Sequence, residues 1–447
     1  MAERSGAMAR TARWGRSAWD WAWSHRGWSG FTLGICAGLA LAVLFSVVRP
    51  LVSDGDALET GDLVILSGKD ESANGQRQAL IDQWNALHPQ NKARIEELPG
   101  SSDSQHSEMV ARAQSGRPGV DIYNLDVTWT AEFADAGYIQ PLDESTVDID
   151  GFLASPLATC RYEGDLWGLP FNTDAGLLYY RTDLVKHPPA SWAQLTAIAE
   201  EQLGRRDKPP QLVAGYTGQL SDYEGLTVNA LEAIWSADGD VVDSGGDVVV
   251  DSPDAKRGLS RLTPSNPQLV LAESRQYDEA ASAQAFRDGK VVFMRNWPVA
   301  YRSLEASSRD DGGAGRAFPF GVTTLPGPSV LGGQNLAVAA GTDKPRAAQA
   351  LSEFLTSPRS QQILFERGGF AATREIVYRD EEVTQKYRYA LTLLSAIRQA
   401  RPRPVTPYYA GFSEEFRGVI RQAMDAEGQL PADATDRLTD ALNGHRR

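Results

Sequence analysis

Cysteine is almost missing from this chain: Cys36 and Cys160 are the only two in 447 residues. A disulfide scaffold and a zinc site built on paired C-x-x-C motifs are therefore excluded. The five histidines, at 25, 88, 106, 187 and 445, are scattered and never form the two-His-and-Glu helix of zinc hydrolases. Neither a G-x-S-x-G elbow nor a phosphate-binding P-loop occurs, so no catalytic residue, metal or cofactor is expected. Glycine and proline are not in excess and charged residues make up 23%, which excludes collagen-like, low-complexity and wholly disordered chains. Basic residues number 44 against 58 acidic ones, a net charge of −14, whereas a nucleic-acid binder needs a basic footprint. What remains is 42% apolar, enough for a packed core and too long for one small domain.

The charge is unevenly spread. Residues 1–30 carry five Arg and two acids, a net +3, so the remainder carries −17. Between them FTLGICAGLALAVLFSVV, residues 31–48, runs eighteen residues without a charge. As a helix it would span roughly 27 Å, close to the hydrocarbon thickness of a bilayer. The expectation is a transmembrane signal-anchor at 31–48, with the basic, Trp-rich segment 1–30 in the cytoplasm and a linker at 49–62. Everything beyond would then be extracytoplasmic, on the outer side of the cell membrane. A cleaved signal peptide competes, but Arg49 and Pro50 follow where a small-residue cleavage site belongs. Lipidation at Cys36 is a third option, although twelve apolar residues follow it. Cys160 has no partner outside the membrane and reads as a small buried filler.

From Leu63 strands and helices alternate. LVIL (63–66), ARIEEL (93–98) and VDIYNLD (120–126) read as strands, and Leu80, Trp84 and Leu87 predict a helix stopped by Pro89. This rhythm argues for an α/β layer with a mostly parallel sheet, whose ligands sit beyond the carboxyl ends of strands, where Asp126 lies. GLPFNTDAGLLYYRTDL (168–184) predicts an extended run, VVFM (291–294) another strand, and the part from about Arg346 is nearly all helix.

Several runs, in order, resemble the sugar-binding, maltose- and trehalose-binding type of extracellular solute-binding protein of bacterial ABC importers. They are PFNTDAGLLYYRTDL, PPASWAQL, EGLTVNALEAIWSADGDVV (224–242), FRDGKVVFMRNWPVAY, LGGQNLAVAAGTDKPRAAQALSEFL (331–355) and RPVTPYYAGFSEEF (403–416). The likeness covers nearly all of residues 61–430, and the N-terminus departs from the lipoprotein signal common in the family. It implies the two-lobed type 2 periplasmic-binding-protein fold, with a hinge and a ligand in the interlobe cleft. Lobe one would be 61–171 plus 297–340 and lobe two 172–296 plus 341–447, with hinges near Phe171–Asp174, Asn296–Pro298 and Gly341. It further implies a carbohydrate, a di- or oligosaccharide, handed to ABC permease subunits.

A sugar offers hydroxyls at its edge and apolar C–H faces above and below, so its site needs planar polar groups and aromatic faces. Asp126 and Asp174 each follow an apolar strand segment at a junction, and both match family positions. Asn172 offers donor and acceptor, though turn formation alone would justify it. Trp235 and Trp297 sit next to predicted turns and match the family's stacking positions, with core packing as the competing account. Glu71, in SGKDESANG, is a candidate against simple helix capping. Gly332 and Gly333 could let backbone N–H groups approach a hydroxyl, or simply make a turn. Arg374, in FAATREI, resembles the family's Arg that reaches a sugar hydroxyl, against a surface ion pair. Two other classes stay open. A glycoside hydrolase would also pair carboxylates in a Trp-lined cleft, and a ligand sensor would report occupancy of the same lobes to a membrane partner.

Overall fold

The computed structural model describes residues 58–98, 100–116, 119–309 and 319–445. The expected cytoplasmic segment, the span 31–48, Cys36 and residues 49–57 of the linker lie outside them. Residues from Glu59 onward make one compact unit. Among the described residues no helix is long and apolar enough to cross a membrane.

Eleven strands are described: β1 (Leu63–Gly68), β2 (Ala93–Leu98), β3 (Ile122–Asp126), β4 (Arg161–Tyr162), β5 (Asp165–Leu166), β6 (Leu169–Ala175), β7 (Leu177–Arg181), β8 (Ala214–Thr217), β9 (Val291–Asn296), β10 (Phe320–Thr324) and β11 (Leu331–Val338). They build two principal sheets, one in the order β2-β1-β3-β11-β6 and one in the order β10-β7-β9-β8, with β4 and β5 as a separate hairpin. Each sheet is the spine of a lobe. The first three strands pair in parallel, as the alternation of strand and helix demands. The expectation of mostly parallel sheets fails beyond them. β11 returns from the other lobe and runs antiparallel to both β3 and β6, and in the second sheet only β8 and β9 pair in parallel.

Helices begin where local chemistry permits. Ser252 and Ser357 cap their helices by accepting from the amides of Ala255 and Ser360, each followed by a proline at the first helical position. The helix Tyr409–Asp425 buries Phe412, Phe416, Val419 and Ile420, one apolar stripe, against the second lobe's core around Leu226, Leu231 and Ile234. Leu66, Met109, Tyr123 and Phe133 form a corresponding core in the first lobe. Cys160 is wholly buried, and burial pushes its thiol pKa up, which makes it a filler rather than a reactive group.

The chain crosses between sheets at places that differ from the expected boundaries. The first crossing is Gly176, between β6 and β7, just past the expected Phe171–Asp174. The second lies in residues 325–330 rather than at Asn296–Pro298, because Phe320–Thr324 still hydrogen-bonds along β7 in the second sheet. Gly341 is no crossing: its neighbour Ala340 donates to Tyr138 within the first lobe. The helix Pro345–Leu355, expected in the second lobe, lays Ala347, Ala348, Leu351 and Leu355 inward and packs against β11 and β6 of the first. A third contact between the lobes' connections is made at Val330 and Arg401, whose backbones bridge in parallel.

Truncating Phe412 to Ala removes a wholly buried ring from this C-terminal helix. Stability should fall by about 3–5 kcal/mol, read as a lowered urea midpoint. A loss under about 1 kcal/mol would mean the helix does not complete the second lobe's core.

Candidate functional site

The two sheets present their polar strand ends to each other, and most of the residues singled out in the sequence meet there. Asp126 ends β3. On β11 its register partner is Gln334, which also stands opposite Asn172 of β6, while Asp174 stands opposite Gly332 and Thr173 opposite Gly333. Three adjacent strands of the first lobe thus place Asp126, Gln334, Asn172 and Asp174 side by side. The Asn172 amide donates to Asp174 Oδ2 at 3.2 Å, and its own Oδ1 is buried without a partner.

Asp126 is held from three directions. It accepts from Thr128 N at 3.0 Å, from Thr128 Oγ1 at 2.8 Å and from Arg403 Nη2 at 2.9 Å. Arg403 belongs to the segment that enters the second lobe's last helices, and its Nη1 donates to Glu224 Oε1 at 2.7 Å. Glu224 in turn accepts from the hydroxyls of Tyr409 and Ser413. Burial works against the Arg403 charge, and Asp126, Tyr409 and Glu224 outweigh it, so its pKa is raised. One buried guanidinium therefore ties an acid of the first lobe to an acid of the second.

Trp297 follows β9 in the second lobe and reaches the first. A Cβ placed on Gly332 would lie 3.3 Å from Trp297 Cη2 and 3.3 Å from Asp174 Cβ. Gly332 is thus the seat that lets the indole edge meet the first sheet. Gly333 has a different reason: with φ at +123° its Cβ would lie 2.3 Å from the Asn172 carbonyl oxygen. Both glycines lie inside β11, so neither makes the turn offered as their alternative role. The inner face of Trp297 rests on the guanidinium of Arg295, 3.7 Å from its carbon to the ring centroid. Arg295 is locked by Glu232, to which Nε and Nη2 donate at 2.8 and 2.7 Å.

Asp174 lies beside this pair. Burial pushes its carboxyl up to about 7, with Arg295 opposing and Asp126 adding to the rise. It titrates near neutrality, whereas an unperturbed aspartate ionises near ~3.9.

Three expected site residues are not brought into this group. Arg374 is 4% exposed, and its guanidinium donates to the carbonyls of Thr356, Asp148 and Asp150 while stacking on Phe152 at 3.5 Å. With these three carbonyls around it and the Asp148 carboxylate 3.4 Å from Nη1, it braces loops of the first lobe. Trp235 is buried at the end of the helix Glu224–Trp235, donates to Asp240 at 3.0 Å and lies under Arg401 at 4.5 Å. It lines a separate cavity of about 400 Å³ in the second lobe. Glu71 is exposed in the loop after β1; the cap positions there belong to Ser72 and Gly75.

Arg295, Glu232, Glu224, Arg403, Gln334, Tyr223 and Glu279 went unnoticed in the sequence. Only Arg295 carried a signal, as a charge directly after the apolar run VVFM. The rest sit in runs with no pattern separating them from solvated polar residues.

Residues 79–390 match the model of a family described as bacterial extracellular solute-binding proteins. The chain belongs to that family. This solute-binding protein is 31% identical over 354 residues to a probable ABC transporter-binding protein of Deinococcus radiodurans, covering 76% of this chain and 81% of that one. It is 24% identical over 366 residues to a maltotriose-binding protein of Pyrococcus abyssi, covering 78% and 74%. Maltose-bound MalE3 of T. maritima superposes with a TM-score of 0.76 at 27% identity, over 86% of this chain and 99% of that one. The GacH receptor of Streptomyces glaucescens superposes with a TM-score of 0.72 at 24% identity, over 87% and 100%, and shares the fold. The two-lobed architecture of the solute-binding protein and its place in the family agree with the sequence expectation.

An Asp174 whose folded pKa exceeds its unfolded one holds a proton that the unfolded chain releases from about pH 4 upward, so this group's contribution to stability falls as pH rises to about 7. Asp174→Asn removes that loss. The variant's urea midpoint, relative to the parent, should climb between pH 4.5 and 7 and then level off. A flat difference across the range would show that Asp174 ionises as an ordinary surface acid.

Proposed function

We propose that this protein is an extracytoplasmic solute-binding protein that takes a di- or oligosaccharide between its lobes and delivers it to ABC permease subunits. In this reading the run 31–48 anchors it in the cell membrane as a single-pass helix, which keeps its concentration high at the permease. The observation that carries the sugar assignment is Trp297. Its indole lies at the junction of the lobes with one face on Arg295 and the edge at Gly332, beside the acid and amide of Asp174 and Asn172. That is an aromatic face for sugar C–H groups next to planar polar groups for hydroxyls. The maltotriose of the Pyrococcus abyssi relative and the maltose bound to the T. maritima structure at 27% identity support the same class. Asp126, Asn172, Asp174, Trp297 and Gly332 are the residues we assign to it, with Gln334, Glu224 and Arg403 added. Trp235, Arg374 and Glu71 lie apart from this group and are not assigned to it.

Capture closes the lobes by a hinge motion about Gly176 and residues 325–330, and the closed form is what a permease reads. The sensor reading uses the same lobes and the same anchor and differs only in the partner. The hydrolase reading is weaker, because Asp126 is already engaged by Arg403 and the named relatives are binding proteins.

The test is a screen of mono-, di- and oligosaccharides against the full chain in mild detergent, following thermal unfolding and analysing each sugar afterwards. A ligand at a hundred times its Kd should add about 2.7 kcal/mol of stability and be recovered intact. Trp297→Ala should weaken that ligand at least tenfold, about 1.4 kcal/mol. Recovery of cleavage products would establish the hydrolase instead, and silence across the panel would sink the sugar assignment.

A further inference from the structure

Glu279 is the first residue of the helix Glu279–Arg287, which Asp278 caps by accepting from Ala281 N at 2.8 Å. The start of that helix is tied to the end of β9: the Asn296 amide donates to the Glu279 carbonyl at 3.0 Å and to Ser282 Oγ at 3.3 Å. The Glu279 side chain therefore leaves a backbone that cannot drift relative to Trp297, one residue beyond Asn296. Its two carboxylate oxygens take different aromatic donors. Oε1 accepts from Trp297 Nε1 at 3.2 Å and Oε2 accepts from Tyr223 Oη at 2.8 Å.

We propose that Glu279 is a positioning residue: it sets the tilt of the Trp297 indole, and with it Tyr223, as one aromatic platform at the mouth of the cleft. The proposal rests on the sugar-binding reading for its ligand but not for its geometry. Two rings from distant parts of the chain share one carboxylate, so neither can turn without breaking a hydrogen bond to a charged group, which is stronger than a neutral one. The remaining freedom is removed by packing. One indole face lies on Arg295, its edge meets Gly332, and its carbonyl accepts from Tyr179 Oη at 2.8 Å. The Tyr223 ring lies over Gly225, where a Cβ would stand 2.3 Å from its Cζ and Oη. Burial, aided by the Glu279 charge, pushes the Tyr223 phenol pKa up, so its hydroxyl stays a donor. The indole, partly exposed, is thereby held at a fixed angle, and a preset ring costs a ligand less on binding.

The test labels the full chain in mild detergent with 5-fluorotryptophan and follows the ring by fluorine NMR, assigning the Trp297 resonance by its loss in Trp297→Phe. In Glu279→Ala the Trp297 resonance should move and broaden while the other tryptophans stay in place, and maltose affinity by calorimetry should fall at least tenfold. Glu279→Gln keeps an acceptor for the indole and should restore affinity to within threefold of the parent. An unmoved Trp297 resonance in Glu279→Ala overturns the proposal whether or not maltose binds. Should that variant not fold, Tyr223→Phe decides: freeing one oxygen of Glu279 should displace the Trp297 resonance, and an unmoved one overturns the proposal. A displaced resonance in a protein that binds no maltose supports the positioning role and counts against the sugar reading alone.

Discussion

The buried pair of Arg295 and Glu232 is the contact on which the rest of the cleft depends. It joins β9 to the helix Glu224–Trp235, and Glu232 Oε1 also accepts from the amide of Val330 at 3.0 Å, at the end of the second crossing. At the first crossing a Cβ on Gly176 would lie 2.5 Å from Glu232 Oε1 and 2.8 Å from Arg295 Nη2, so any side chain there would press on this pair. Arg295 Nη1 donates to Gln219 Oε1 at 3.2 Å after β8, and the guanidinium face carries Trp297. The first two crossings between the lobes and the aromatic face thus converge on two charged groups. Losing either partner would leave the other charge buried and unpaired, which costs about 3–5 kcal/mol.

Around that fixed point the lobes meet through groups that can separate. Arg403 holds Asp126 of the first lobe and Glu224 of the second, and Arg417 of the C-terminal helix reaches Asp103 of the first lobe at 3.1 Å. Ion pairs that span a cleft are exchangeable: a ligand with hydroxyls can take over one carboxylate's hydrogen bonds as the lobes adjust. Hydrophobic burial resists deformation, and beside these polar groups one apolar cluster joins Ala175 and Leu331 of the first sheet to Leu177, Tyr179, Val291 and Met294 of the second.

Much of the fold was legible from local pattern. ARIEEL at 93–98 is β2, the apolar spacing of Leu80 and Trp84 is the helix Gln76–Leu87, and PFNTDAGLLYYR is the first crossing with its two strands. Asp126 and Asp174 were legible as candidate site residues because each follows an apolar strand segment at a junction, where a sheet delivers its side chains to a ligand face, Asn172 because it lies beside the first crossing and Trp297 because it sits next to a predicted turn. Trp235 sat next to a predicted turn and Arg374 resembled the family's sugar-contacting Arg. They went elsewhere because carbonyl oxygens of a remote loop, more than two hundred residues away, hold the one and a lobe-two core and Asp240 enclose the other.

The order of strands and helices, the apolar faces that make two cores, the acidic balance and the junction positions of the acids all follow from the sequence alone, since each depends on neighbours a few residues away. Which lobe β10 and the helix Pro345–Leu355 join, where the second crossing falls, and which acids are left to face a ligand were decided only on folding. Those outcomes rest on contacts such as Arg403 with Asp126, 277 residues apart, and Asp126 with Gln334 across β3 and β11. A hydrogen bond between strands has no signature in either strand's own pattern, so the cleft comes into being only when the chain has returned to its first lobe.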